Sequence, residues 1–182
     1  MATLLQRIGS AFGLGDSEPL VSGNTVTQGT TNAAFHLDIH GSSSTGEQIL
    51  IAGREDAVIA ADPNQRALII GGAGDDRLTG GEHADLLIGG GGRNVLIGGG
   101  GTDTFGHALG ARDVVADFSP AAGEHIALQS GMTLTGATSV QADPGASGLS
   151  GGPVQSMELS FSDGSHMTLL GVTQTPSSDW FV

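Results

Sequence analysis

The sequence predicts an all-β fold of short stacked strands, and three observations predict it. Four nine-residue units follow one another without a break from Gly71 to Gly106. Each carries one apolar side chain at its eighth position, Leu78, Leu87, Leu96 and Phe105, so the period extends over all four units. The 182-residue chain holds 32 glycines and no cysteine, which favours repeated turns over a disulfide scaffold. A glycine-rich flexible linker would not space its apolar residues nine apart.

The first unit runs from Gly71 to Thr79, the second from Gly80 to Ile88, the third from Gly89 to Ile97 and the fourth from Gly98 to Gly106. Each fits Gly-Gly-x-Gly-x-Asp-x-apolar-x, six residues of turn followed by three of strand. Glycine at positions one, two and four lets the backbone turn its carbonyls toward the concave side of the loop. The position-six carboxylate adds a hard, charged oxygen. Calcium takes six to eight oxygen ligands in a flexible cage, so this donor set suits it better than zinc or copper. One unit can neither complete the cage nor bury its apolar residue, whereas stacked units do both.

The pattern is that of the calcium-binding nonapeptide of RTX proteins, and the chain resembles that family over residues 44–128. The resemblance implies a parallel β-roll with two nonapeptides per turn and Ca2+ held between loops eighteen residues apart. On this chain it implies that Asp76 shares an ion with Asn94, and Asp85 with Asp103. Gly72, Gly74, Gly90 and Gly92 would offer carbonyls to the first site, Gly99 and Gly101 to the second. Two residues depart from the motif: Asn94 lowers the charge of the first site, and His83 stands where a glycine is expected.

In chain order, Leu4, Leu5, Ile8 and Phe12 lie on one helical face, which predicts a short amphipathic helix over 3–14 that caps the roll. Phe35, Leu37 and Ile39 alternate with His36, Asp38 and His40, as on a half-buried strand. The nine-residue period also runs backward without its glycines: Ile51, Ala60 and Ile69 continue position eight, with Ile49, Val58 and Ala67 two residues earlier. Residues 44–106 thus read as about seven units, with 71–106 the calcium-loaded part, 1–43 an N-terminal helix and cap strands, and 107–182 a C-terminal cap. Asp113 to Phe118 leads through Ser119-Pro120 to Glu124–Leu128, which resembles the segment after the repeats in serralysin-type domains. There an aspartate contributes to a last calcium, a role that falls to Asp117 ahead of Asp113. Residues 141–153 read as an exposed loop. Met157, Leu159 and Phe161 alternate up to the turn pair Asp163-Gly164, and His166–Val172 returns as a C-terminal antiparallel hairpin. The end, Asp179-Trp180-Phe181-Val182, resembles the uncleaved C-terminal signal of type I secretion substrates.

Positions seven and nine of alternate units put Leu50, Ala52, Leu68, Ile70, Leu86 and Ile88 on one outward face, an apolar stripe that a soluble monomer covers. The N-terminal helix is one cover, and another copy of the chain, as a dimer or filament, is the other.

A net charge of −13, with arginine as every cation, argues against nucleic acid or an anionic membrane as partner. No segment reaches transmembrane length, and the N-terminus lacks the apolar core of a Sec signal. Gly148-Leu149-Ser150-Gly151-Gly152 matches the nucleophile-elbow letters but lacks the strand before and helix after that the elbow needs. There is no His-Glu-x-x-His and no P-loop lysine. The sequence therefore predicts a non-catalytic protein, exported unfolded by type I machinery, secreted or at a bacterial cell surface, that folds on external calcium as a surface or matrix component. The alternative is a calcium-dependent polysaccharide-binding module, whose mark would be an exposed strip of aromatics or cations.

Overall fold

The structure, a computed structural model, describes residues 35–39 and 47–182. The helix expected over 3–14 lies outside the described residues, as do His40 and the side chains of the strand at 35–39.

The described chain is an all-β, parallel β-roll of about four turns. One sheet has six strands in the order β1 (Phe35–Ile39), β2 (Glu47–Ile51), β4 (Arg66–Ala73), β6 (Leu86–Gly91), β8 (Thr104–His107) and β10 (His125–Leu128). The other has seven, in the order β11 (Leu134–Ala142), β12 (Val154–Phe161), β13 (His166–Leu169), β9 (Arg112–Val115), β7 (Arg93–Ile97), β5 (Arg77–Thr79) and β3 (Val58–Ala60). From β2 to β10 successive strands alternate between the sheets, so each turn of the chain gives one strand to each and neighbours pair in parallel. Pairing becomes antiparallel only at β1–β2 and through β11–β12–β13.

The strands are short, and the core is two facing columns of side chains. Leu50, Ile69, Leu87, Phe105 and Ile126 stand in register on the six-stranded sheet. Ile59, Leu78, Leu96, Val115 and Leu169 do so on the other, and all ten are buried in one cluster. Burying a side chain of this size contributes about 1.5–3 kcal/mol, so stability is a sum of small terms repeated along the stack.

The columns correct the backward extension of the period. Leu50 and Ile59, not Ile51 and Ala60, occupy the inward position, while Ala60 is exposed and Ile51 half-buried. Leu50 pairs with Ile69 and Ile59 with Leu78, steps of nineteen residues where Leu78 to Leu96 is eighteen. The extra residue sits in the turn between β3 and β4, where Asp62 accepts the Asn64 and Gln65 amides. A one-residue slip exchanges the two faces of a strand, so everything N-terminal to that turn is displaced by one.

The same slip alters the apolar stripe. Leu50 belongs to the core, and its outward neighbours are Ile49 and Ile51. Ile49, Leu68 and Ile88 are buried rather than bare, and Ile70 and Leu86 are half-buried.

Parallel stacking continues past residue 106 into β9 and β10. Strand β13 then lies parallel beside β9 and brings the β11–β12–β13 meander against the last turn. Trp180 packs edge-on to Phe118 at 5.3 Å between centroids, Phe181 bridges to Ile126, and the Val182 amide donates to the Ile126 carbonyl at 3.2 Å. Ser150 is exposed in a loop after a short 3-10 turn at Pro144–Ser147, so the nucleophile elbow does not form.

Candidate metal sites in the loop columns

The turns between strands stack in two columns, one along each edge of the roll. The first column contains residues 53–57, 71–76, 89–94 and 108–113. The second contains 61–66, 80–85, 98–103 and 116–124. Position six of each nonapeptide points into its column and ties it to the turn before. Asp76 Oδ1 accepts the Ala57 amide at 2.8 Å, and Asn94 Oδ1 accepts the Asp76 amide at 3.1 Å. In the second column Asp85 Oδ1 accepts from Ala67 at 2.7 Å and Asp103 Oδ1 from Asp85 at 2.8 Å. Asp76 is thus brought to Asn94, and Asp85 to Asp103, each pair eighteen residues apart.

The second carboxylate oxygens differ. Asp85 Oδ2 accepts the Gly81 amide at 2.6 Å. Asp76 Oδ2 and Asp103 Oδ2 are buried with no hydrogen-bond partner. A buried anionic oxygen without a donor is costly, and both residues show that cost. Burial pushes the Asp76 carboxyl up against the Ala57 amide that holds it down, and Asp56 and Asp75 add repulsion. Burial pushes Asp103 up to about 6, opposed by the Asp85 amide and helped by the charges of Asp85 and Asp117. Asp85 is raised by burial too, against the Gly81 and Ala67 amides.

The glycines around these oxygens leave room for nothing but a hydrogen. A Cβ on Gly71 would meet both Asp76 Oδ2 and the Gly89 carbonyl oxygen, and one on Gly98 would meet Asp103 Oδ2. A Cβ on Gly90 would strike the Gly72 carbonyl and one on Gly92 the Gly74 carbonyl. At Gly99 and Gly101 the obstacles are the carbonyls of Gly81 and His83. At Gly90 the backbone also stands at φ +91°, which side-chain-bearing residues rarely adopt. Among the described residues no three His, Cys, Asp or Glu side chains cluster as a metal set. The donors are carbonyl oxygens and carboxylates, a hard set that fits calcium and not a thiophilic or imidazole-seeking metal.

His83 is exposed, with Nε2 3.0 Å from the Asn64 carbonyl, so the missing glycine is accommodated at the rim. Asp117 lies at the C-terminal end of the second column, where its two oxygens accept the Gly98 and Gly99 amides at 2.9 Å each. Beside it the sequence reading missed Glu124. This buried carboxyl accepts the Ser119 amide and is pushed up to about 7 by burial, then by the charges of Asp103 and Asp117. It lies 21 residues after Asp103, outside the eighteen-residue step, so the period gave no signal for it.

The first column ends differently. Asp113 accepts from Asn94 Nδ2 at 2.8 Å, and its other oxygen lies 2.5 Å from His107 Nδ1. His107 Nε2 lies 2.9 Å from Ser165 Oγ. No motif in the sequence pointed to His107 or Ser165, which come together only when β13 docks beside β9.

Residues 68–96 and 79–111 match the RTX calcium-binding nonapeptide repeat, four copies in all. No curated protein matches the chain. Among solved structures the chain is similar to the AlgE6R3 subunit of the Azotobacter vinelandii mannuronan C5-epimerase, at 27% identity and a TM-score of 0.49. That likeness covers 70% of this chain and 78% of that one. The loops between residues 68 and 111 are thus RTX-type calcium-binding nonapeptides, and the metal of this chain is calcium.

Proposed function

We propose that this is a non-catalytic extracellular β-roll that leaves the cell unfolded through a type I channel and folds on calcium outside, as a surface or matrix component. The observation that carries the reading is the pair of buried, unpartnered oxygens, Asp76 Oδ2 and Asp103 Oδ2, one in each column among glycine carbonyls. A dication supplies what both lack. Asp76 would hold it with the carbonyls of Gly72, Gly74, Gly90 and Gly92 and with Asn94. Asp85 and Asp103 would do so with Gly99 and Gly101, and Asp117 and Glu124 would close the last rung of that column.

Without metal these carboxylates oppose folding, so a compartment poor in calcium keeps the chain unfolded, and extracellular calcium at about 10⁻⁴–10⁻³ M draws it into the roll by mass action. The absence of cysteine removes premature cross-links. The terminal Asp179-Trp180-Phe181-Val182 packs against β10 and Phe118, so an export signal there would be readable only before folding. Titrating the chelated chain with calcium while following circular dichroism tests the reading, with β-structure expected only as calcium rises. Full β-structure in chelator would refute it.

A second reading, a calcium-dependent polysaccharide-binding module, gains from one feature of the outer face of the seven-stranded sheet. Arg93, Arg112 and His166 stand in register on three adjacent strands, about 4.8 Å apart, while Arg77 on the next strand pairs with Val95, two residues along from Arg93. Two arginines in register, in a chain of net charge −13, suit an acidic glycan. A glycan array at millimolar calcium decides between the two, and retention of a polyuronate would move this reading ahead.

A further inference from the structure

The outward faces of the two sheets differ in a way that their strands do not account for. On the parallel strands of the seven-stranded sheet no outward side chain is buried. Val58 stands 82% exposed there, and Arg77, Val95 and Val114, in register with it, are half-buried. On the six-stranded sheet the outward Ile49, Leu68, Ile88 and Ala127 are only 2, 5, 3 and 0% exposed. None of these four belongs to the core cluster between the sheets. Strands stand about 4.8 Å apart in either sheet, so neighbouring strands alone would shield both outward faces alike.

The buried positions trace a line across the six-stranded face. On β2 and β4 they are Ile49 and Leu68, which are in register. On β6, β8 and β10 they are Ile88, Gly106 and Ala127, again in register but two residues further along the strands. Ile51 and Ile70, in the row of Ile88, and Leu86, in the row of Leu68, are half-buried. The track thus crosses five strands obliquely, as the footprint of one straight rod would. Four strand spacings and a two-residue step make it about 20 Å long.

All thirteen described strands belong to the two sheets, so no third layer of described strands supplies the rod, and the turns between strands stack along the edges of the roll. The shielding is complete within one copy of the chain. Residues 40–46 close the β1–β2 hairpin and are tied to its edge at both ends. Within residues 1–34, Leu4, Leu5, Ile8 and Phe12 have the spacing of one helical face over 3–14. Twelve residues of helix are about 18 Å long, which matches the track. Residues 15–34 span about 60 Å when extended, ample to bring either end of that segment onto the face from Phe35 at the start of β1.

We propose that residues 3–14 lie across the outward face of the six-stranded sheet as an intramolecular cover, with Leu4, Leu5, Ile8 and Phe12 turned to Ile49, Leu68, Ile88 and Ala127. The track needs five strands in register, so the segment docks only on a stacked roll and ties β2 to β10. It also spends the apolar face within the chain. The sheet surface left to a partner is then the outward face of the seven-stranded sheet, where Arg93 and Arg112 stand.

The experiment uses the full chain with 13C-labelled isoleucine and leucine methyl groups, at a calcium level where circular dichroism shows the roll folded. Nuclear Overhauser contacts are expected from the Ile8 methyls to Ile49, Leu68 or Ile88, and none to Ile97 on the opposite outward face. Absence of any contact between residues 3–14 and the track overturns the proposal. Contacts found only between differently labelled copies in a mixed sample also overturn it, because the cover would then be a second molecule. Ile8→Asp in the full chain should raise the fluorescence of a dye for exposed apolar surface several-fold, whereas Val95→Asp on the other sheet should not. An Ile8→Asp chain that folds and leaves the dye dark overturns the proposal too, and the wild-type contacts decide even if that variant does not fold. The contacts are read in the folded chain whatever folds it, so failure of the cover is distinguishable from failure of the calcium reading.

Discussion

Asp103 carries two oxygens with opposite surroundings: Oδ1 accepts the Asp85 amide, and Oδ2 is buried without a donor. An amide in its place would keep the first contact and remove the buried charge, as Asn94 already does in the other column. Asp103→Asn is therefore expected to act with two signs. The calcium midpoint should rise at least about tenfold, since a charged ligand is lost, a change of about 1.4 kcal/mol. In chelator the variant should be more stable than wild type, since the burial that pushes this carboxyl to about 6 no longer has an anion to act on. Calcium-binding calorimetry and chelator melts read the two arms, and a variant destabilised in both would show that the carboxylate serves packing alone. This residue was legible in the sequence because position six repeats. Glu124 was not, because the turn it closes is longer than a repeat, and neither were His107 and Ser165, whose partnership needs residues 58 apart in the chain.

At the scale of the strand, an element of three to five residues has one side chain that decides its energy. Leu96 is fully buried between Leu78 and Val115, and in the small, shallow core of a roll its neighbours cannot collapse into the space it fills. Leu96→Ala should cost about 2–5 kcal/mol in calcium, measured by denaturant unfolding. Val58→Ala, at a side chain 82% exposed on β3, should stay within about 0.5 kcal/mol. Similar losses at both positions would mean that the inward column is misassigned. Inward positions were legible from Ile69 to Phe105, where glycines mark every turn. They slipped by one residue before that, because the turn at Asp62–Gln65 has no glycine to announce its extra residue. Strand β11 gave no sequence signal at all. Its residues are exposed on one face and mostly half-buried on the other, none of them fully buried, and it exists because β12 offers an edge to pair with.

For the whole molecule the buried carboxylates link metal, protons and folding. Asp103 at about 6 and Glu124 at about 7 stand above the values of about 3.9 and 4.3 that they recover on unfolding. The metal-free roll therefore binds more protons than the unfolded chain between those limits. Its stability rises as pH falls from about 7 toward 4.5 and declines as pH rises through the folded values. Calcium acts the other way, since each ion must displace the protons held there, and its affinity weakens over the same range. The melting temperature in chelator should accordingly be higher at pH 5 than at pH 7.5, while the increment produced by saturating calcium should be larger at pH 7.5. If chelator stability instead falls steadily on acidification, the ordinary surface carboxylates outweigh the buried ones, and the columns are not what makes this chain wait for calcium.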